Sequence, residues 1–180
     1  MRVVAGTAKG TVLKTPSGMD TRPTTDRVKE ALFSIIQFDI PGTVVLDLFG
    51  GTGQLGIEAL SRGAKAATFV DLRSDACRLI KENLKKTKMD DRSEIINSDY
   101  GTYLKTTQKK FNIIFLDPPY AEDFLENSLK MITEIDILQT SGIIVTERPL
   151  EKTLLLDFNG FQRSKDYKYG NTLLTIYRKL

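Results

Sequence analysis

The chain has 180 residues, 41% hydrophobic and 27% charged, and its 26 Lys+Arg against 23 Asp+Glu leave a formal charge of +3. That is the size and balance of one globular domain, and it permits a nucleic-acid partner without demanding one. There is no histidine and only one cysteine, Cys77. This excludes a Ser-His-Asp triad, a histidine general base, zinc held by histidines or a cysteine cluster, iron–sulfur ligation and two-thiol catalysis on a pyrimidine.

A lone cysteine forms no internal disulfide, so a reducing cytoplasm is the expected setting. No apolar run reaches the ~18 residues that span a bilayer. The first residues lack the apolar stretch of a signal peptide, so no membrane partner is expected. The N-terminal arm carries two β-prone runs, 2–5 and 10–14, separated by Gly6 and Gly10, which predict a hairpin. Thr15-Pro16-Ser17-Gly18 reads as a turn. Thr24, Thr25 or Asp26 can then cap a helix with Val28, Leu32, Ile35 and Ile36 on one face.

From residue 43 the pattern alternates. Strands are expected at 43–48, 66–70, 94–97, 111–116 and 143–147, and helices at 57–61, 74–86 and 124–135. Arg62-Gly63 stops the first of these helices, and Cys77, Ile80 and Leu84 share a face of the second. Runs 162–167 and 172–178 read as a closing hairpin around Tyr169-Gly170-Asn171. Alternation of this kind predicts an α/β fold with a mostly parallel sheet covered on both faces and an antiparallel C-terminal strand. Residues 1–40 would form a hairpin-and-helix extension and 41–180 one compact unit. Asp47, Asp71, Asp99 and Asp117 all fall at or near strand ends, where ligands of such sheets bind.

Gly51-Thr52-Gly53-Gln54-Leu55-Gly56 fits G-x-G-x-x-G between a strand and a helix, and Asp71 ends the next strand, where an acid can hold ribose hydroxyls. A nicotinamide dinucleotide is the first candidate ligand. However, Asp47 stands two residues before Phe49 at the entry to the loop, and a carboxylate there repels a pyrophosphate. The same carboxylate attracts the ammonium and sulfonium of S-adenosylmethionine (SAM). Asp117-Pro118-Pro119-Tyr120 makes a stiff strand-ending corner that offers acceptors, with a flat ring beside them. It suits an exocyclic amine on an aromatic base. Accepting both N–H hydrogens draws the nitrogen toward tetrahedral geometry and frees its lone pair for a methyl group. Guanine N2, adenine N6 and cytosine N4 all satisfy this chemistry.

Together these motifs resemble the SAM-dependent amino-methyltransferases. The string Thr21-Arg22-Pro23-Thr24-Thr25-Asp26-Arg27-Val28-Lys29-Glu30-Ala31-Leu32-Phe33, with the loop, Leu55-Gly56-Ile57-Glu58-Ala59-Leu60-Ser61-Arg62-Gly63 and Asp117–Tyr120, resembles the RsmD family over nearly the whole chain. Those bacterial enzymes methylate guanine N2 in small-subunit ribosomal RNA. The loop here, Phe49-Gly50-Gly51-Thr52-Gly53, departs slightly from the family's Phe-Ala-Gly-Ser-Gly, with residues of similar size.

The resemblance implies a Rossmann-like methyltransferase fold, with SAM as cofactor, S-adenosylhomocysteine as product and no metal. It places Asp47, Phe49, Gly50, Gly51 and Gly53 around the methionine part of SAM. Asp71, beside Leu72, would hold the ribose, and Asp99 with Tyr100 the adenine. It gives Asp117, Pro118 and Tyr120 the catalytic corner, with Pro119 beside the substrate, and has Arg22, Thr24 and Arg27 close over the site. The implied partner is ribosomal RNA, naked or in an assembling small subunit, and the protein would act as a monomer. Lys9, Lys14, Lys165 and Lys168 are candidates for phosphate contact, although a solvated face accounts for each singly. Other readings are an N6-adenine or other nucleic-acid amino-methyltransferase, an NAD-type oxidoreductase with no use for residues 117–120, and a catalytically idle RNA-binding or assembly factor.

Overall fold

Apolar runs alternating with amphipathic segments produce alternating strands and helices. The computed structural model describes residues 1–16, 26–119, 123–152, 158 and 160–180. After the arm come α1 (Asp26–Ile35), β1 (Val44–Asp47), α2 (Gln54–Ser61), β2 (Ala66–Asp71), α3 (Ser74–Thr87) and β3 (Ser93–Asn97). Then follow α4 (Tyr100–Thr106), β4 (Phe111–Leu116), α5 (Phe124–Glu134), β5 (Leu138–Pro149), β6 (Phe161–Arg163), β7 (Tyr167–Tyr169) and β8 (Thr172–Lys179).

The sheet order is β3-β2-β1-β4-β5-β8-β6, with β7 also paired to β8. The first five strands are parallel, and β8 runs antiparallel to β5. The chain leaves β1 toward β2 and β3, then returns to place β4 on the other side of β1. That reversal opens a crevice beyond the carboxyl ends of β1 and β4.

Side chains alternate between two cores. Val45, Phe69, Phe115 and Val145 pack with Leu32, Phe33, Ile57 and Ile80 of α1, α2 and α3. Leu46, Val70, Ile114 and Tyr177 pack with Leu104, Leu129 and Ile132 of α4 and α5. The arm joins the first core through Val3, Ala8 and Leu13. Its expected hairpin is minimal: a single bridge joins Arg2 and Val12, with Val3 N–H donating to the Thr11 carbonyl at 2.9 Å. The arm is held against α2 by Thr7 N–H on the Ser61 carbonyl (2.8 Å) and Ala8 N–H on Ser61 Oγ (3.0 Å).

The structure departs from the sequence reading in three places. Helix α4 carries little propensity, with Gly101 and two threonines among its seven residues, and it is started by Asp99, whose carboxylate accepts from Thr102 N–H at 2.9 Å. Strand β5 begins five residues early, across a polar stretch where Ser141 takes a positive φ of 61° and the register to β4 shifts. The first arm of the closing hairpin splits into β6 and β7 around Ser164 and Asp166, whose side chains take part in bonding it to the strand, beside a backbone bond from Ser164 N–H to the Ile176 carbonyl at 2.8 Å. Ser164 Oγ accepts from Ile176 N–H at 3.1 Å, and Asp166 accepts from Thr175 Oγ1 at 2.5 Å and from Arg148 at 2.6 Å.

Candidate active site

The glycine loop is built by its own hydrogen bonds. Gly50 N–H donates to the Val70 carbonyl at 2.8 Å, tying the loop to β2. Gly53 sits at φ 78°, a left-handed conformation that lets the chain turn straight into α2. A Cβ on Gly56 would lie 2.3 Å from Cε1 of the buried Phe69 ring, so glycine here sets how closely α2 packs on β2. The result is a tight loop at the crevice, with Gly50 and Gly53 buried and Gly51 and Thr52 half-buried.

Three acids converge on this cradle. Asp47, 2% exposed, accepts from Gly56 N–H at 3.1 Å. Burial pushes its carboxyl up to about 8, with Asp117 and Asp71 adding repulsion and the Gly56 hydrogen bond opposing it. Asp71 accepts from Gly51 N–H at 2.8 Å through one oxygen and from Arg73 N–H at 2.9 Å through the other. Each oxygen keeps a lone pair for a further donor. Asn97 donates to the Asp71 and Leu72 carbonyls at 3.0 and 2.8 Å, holding this turn while the Leu72 side chain stays 70% exposed at the rim.

Beyond β3, Asp99 is exposed, and its bond from Thr102 holds its carboxyl below the usual range. Its neighbour Tyr100 belongs to an aromatic trio: ring centroids lie 5.4 Å from Phe49 and 5.7 Å from Phe124, with Phe49 and Phe124 6.2 Å apart. The trio joins the loop to the starts of α4 and α5, with Phe49 and Tyr100 packed on the second core. At the end of β4, Asp117 is half-buried, Pro118 buried and Pro119 exposed.

The structure therefore gathers Asp47, Phe49, Gly50, Gly51, Gly53, Asp71, Leu72, Asp99, Tyr100, Asp117, Pro118 and Pro119 at the carboxyl ends of β1 to β4. Arg27 lies exposed in the first turn of α1. Arg22, Thr24 and Tyr120 fall outside the described residues. Lys14, expected to be solvated, pairs with Glu82 at 2.7 Å, and Lys165 lies over the Tyr167 ring.

The acid-lined cradle suits SAM. Its cluster of carboxylates, one of them held partly protonated by the others and by burial, favours a cation and disfavours a pyrophosphate.

Five residues around the site escaped the sequence reading, Lys29, Glu58 and Asn83 among them. Glu58 of α2 and Lys29 of α1 are both fully buried, 3.6 Å apart. Glu58 also accepts from Val4 and Ala5 N–H (2.8 and 3.0 Å) and from Arg62 (2.8 Å), while Lys29 donates to the Arg2 carbonyl. Burial lowers the Lys29 ammonium, with Glu58 pulling the other way. Asn83 of α3, also fully buried, exchanges bonds with Lys14 and donates to the Thr52 carbonyl at 2.9 Å, joining arm to glycine loop. The signal for Lys29 was present: it shares the buried face of α1 with Leu32, Phe33 and Ile36. Phe124 and Glu147 are the others. Finally, Arg78, Lys81 and Lys85 follow one face of α3 and line a groove of about 480 Å³ floored by Leu84 and Ile95.

Comparison with known proteins agrees with this geometry. A family model described as "Conserved hypothetical protein 95" matches residues 1–178. The chain is 40% identical over 182 residues to "Putative rRNA methyltransferase YlbH" of Bacillus subtilis, covering 99% of each. It is 35% identical over 162 residues to "Ribosomal RNA small subunit methyltransferase D" of Haemophilus influenzae, covering 88% of this chain and 84% of that protein. The solved structure "Putative methyltransferase yhhF from Escherichia coli" overlays with a TM-score of 0.90 at 28% identity, covering 99% of this chain and 97% of that one. The Rossmann-like methyltransferase fold expected from the sequence is the fold observed.

Proposed function

The chain belongs to the RsmD family, described above as Conserved hypothetical protein 95, and from that membership we propose that it methylates the exocyclic N2 amine of a guanine in small-subunit ribosomal RNA, using SAM. The observation that carries the chemistry is the juxtaposition of the acid-lined glycine cradle with the Asp117-Pro118 corner across the crevice of β1 and β4.

SAM supplies an electrophilic methyl on a sulfonium. The backbone of Gly50 to Gly53 and the Asp47 carboxylate would hold its amino-acid end, and Asp71 would accept from its ribose. Phe49 and Tyr100 would flank the adenine, and Asp99, which caps α4, would face it. Asp117 and the Pro118 carbonyl accept the two hydrogens of the target amine, orienting its lone pair toward the methyl. The family resemblance assigns Tyr120 and Pro119 to the target base, and Arg22, Thr24 and Arg27 to substrate binding. Asp117 stabilises the positive charge that develops on nitrogen and leads its proton toward solvent. Phosphates of the RNA run over exposed cations, Arg78, Lys81 and Lys85 among them. The protein acts in the cytoplasm as a monomer on naked RNA or an assembling small subunit.

Incubation with methyl-labelled SAM and small-subunit RNA from cells lacking the protein tests this reading. Label on RNA supports it. SAM binding without transfer points instead to an idle RNA-binding factor, and tight NAD binding without SAM binding ends it.

A further inference from the structure

The inner face of α3 carries Ala76, Ile80, Leu84 and Thr87, and among them a fully buried amide, Asn83. Asparagine favours a helix interior little, and a buried amide costs free energy unless it is bonded. Asn83 is bonded on both of its ends. Its Oδ1 accepts from Lys14 N–H at 2.7 Å and its Nδ2 donates to the Lys14 carbonyl at 3.1 Å, so it grips both backbone groups of one arm residue as a neighbouring strand would. The second Nδ2 hydrogen goes to the Thr52 carbonyl at 2.9 Å.

The Thr52–Gly53 peptide is therefore pinned at both ends. Asn83 holds its carbonyl, and its N–H donates to the Gly50 carbonyl at 2.6 Å. Gly53 then turns at φ 78° into α2. The arm meets the same loop residue a second time, where Thr52 Oγ1 donates to Met1 Sδ at 3.3 Å. Its other anchors, Glu58 and Ser61, lie later in α2. We infer that Asn83 is a positioning residue that makes the arm part of the SAM site, by fixing the Thr52–Gly53 peptide from the arm side so that the loop meets the cofactor preformed. The inference rests on the reading of the glycine loop as the SAM cradle and extends it. Order at Lys14 and occupancy by SAM are linked through one amide, and each strengthens the other.

Amide hydrogen exchange of the wild type, with and without S-adenosylhomocysteine, tests the link with no substitution. The Lys14 amide, whose acceptor is Asn83, should exchange at least ~5-fold more slowly with ligand bound, while the Ala8 amide, held by Ser61 Oγ, should change by less than ~2-fold. Asn83→Leu, close in size, removes all three bonds. Its SAM affinity by calorimetry should fall ~10-fold, the size of effect that follows a lost buried hydrogen bond. The KM for SAM should rise with it while kcat at saturation stays within ~3-fold, because the loop holds ground and transition states alike. Ser61→Ala loosens a different arm anchor; it should lower the urea midpoint yet leave SAM affinity within ~2-fold of wild type. If Asn83→Leu does not fold, the exchange measurement decides alone. Lys14 exchange that ignores the ligand overturns the inference, as does wild-type SAM affinity in folded Asn83→Leu. An equal loss of SAM affinity in both variants, the mark of general loosening, overturns it too. A wild type that binds no SAM removes the cofactor reading and this role with it.

Discussion

Removing Glu58 should destabilise the protein far more than removing a surface ion pair. Its carboxylate serves four donors: the backbone N–H groups of Val4 and Ala5, the Arg62 guanidinium and the Lys29 ammonium. Both Glu58 and Lys29 are fully buried. Glu58→Ala strands a buried ammonium, for which ~3–5 kcal/mol is the usual loss, and leaves two arm amides without their acceptor. Against a typical total of ~5–15 kcal/mol, that is a large fraction. Glu58→Gln retains one carbonyl for an arm amide but still strands Lys29. Adding Lys29→Met should therefore recover part of the loss, a coupling of ~2 kcal/mol between touching groups. Equilibrium urea unfolding of the wild type, Glu58→Gln, Lys29→Met and the double variant, compared at a common slope, measures it. Because Glu58 anchors the arm, Glu58→Gln should also lower RNA methylation more than SAM affinity. Losses under ~1 kcal/mol, the range of exposed pairs, with no coupling, would refute the reasoning.

Asp71→Ala should weaken SAM binding by ~1.5–3 kcal/mol, the range for hydrogen bonds to a charged group, in calorimetry. The Asp47 carboxyl is raised to about 8, so between about pH 4 and 8 the folded state binds more protons than the unfolded one. Ligand-free stability should therefore fall as pH rises through that window, and Asp47→Asn should flatten the dependence and raise stability at pH 7 by on the order of 2–4 kcal/mol. In the same window SAM binding should release protons, because a cation favours the ionised carboxylate; calorimetry in buffers of different ionisation enthalpy reads this directly. Gly56→Ala should cost ~1–3 kcal/mol in thermal unfolding, because its methyl would meet the Phe69 ring. RNA affinity should drop with added salt, and replacing Arg78, Lys81 and Lys85 together should make that slope shallower while leaving SAM binding intact.

The strands were legible because each apolar run is short and breaks at an acid: Asp47 and Asp71 end β1 and β2, and Asp117 follows β4. The glycine loop was legible because Gly53 and Gly56 answer to local geometry, a left-handed turn and a close ring. Helix α4 was not, since a cap at Asp99 starts a helix that its seven residues scarcely favour. Lys29, Glu58 and Asn83 were not read as a network because their partners lie far along the chain, with 54 residues between Val4 and Glu58 and 69 between Lys14 and Asn83.

The central claim concerns which atom receives the methyl group. Small-subunit RNA reacted with labelled SAM and this protein, then digested to nucleosides and resolved by mass spectrometry, decides it. The account predicts N2-methylguanosine, reduced ~10²–10³-fold in rate by Asp117→Ala while SAM affinity holds. A methyl on a ring carbon or ribose, or normal turnover by Asp117→Ala, would contradict it.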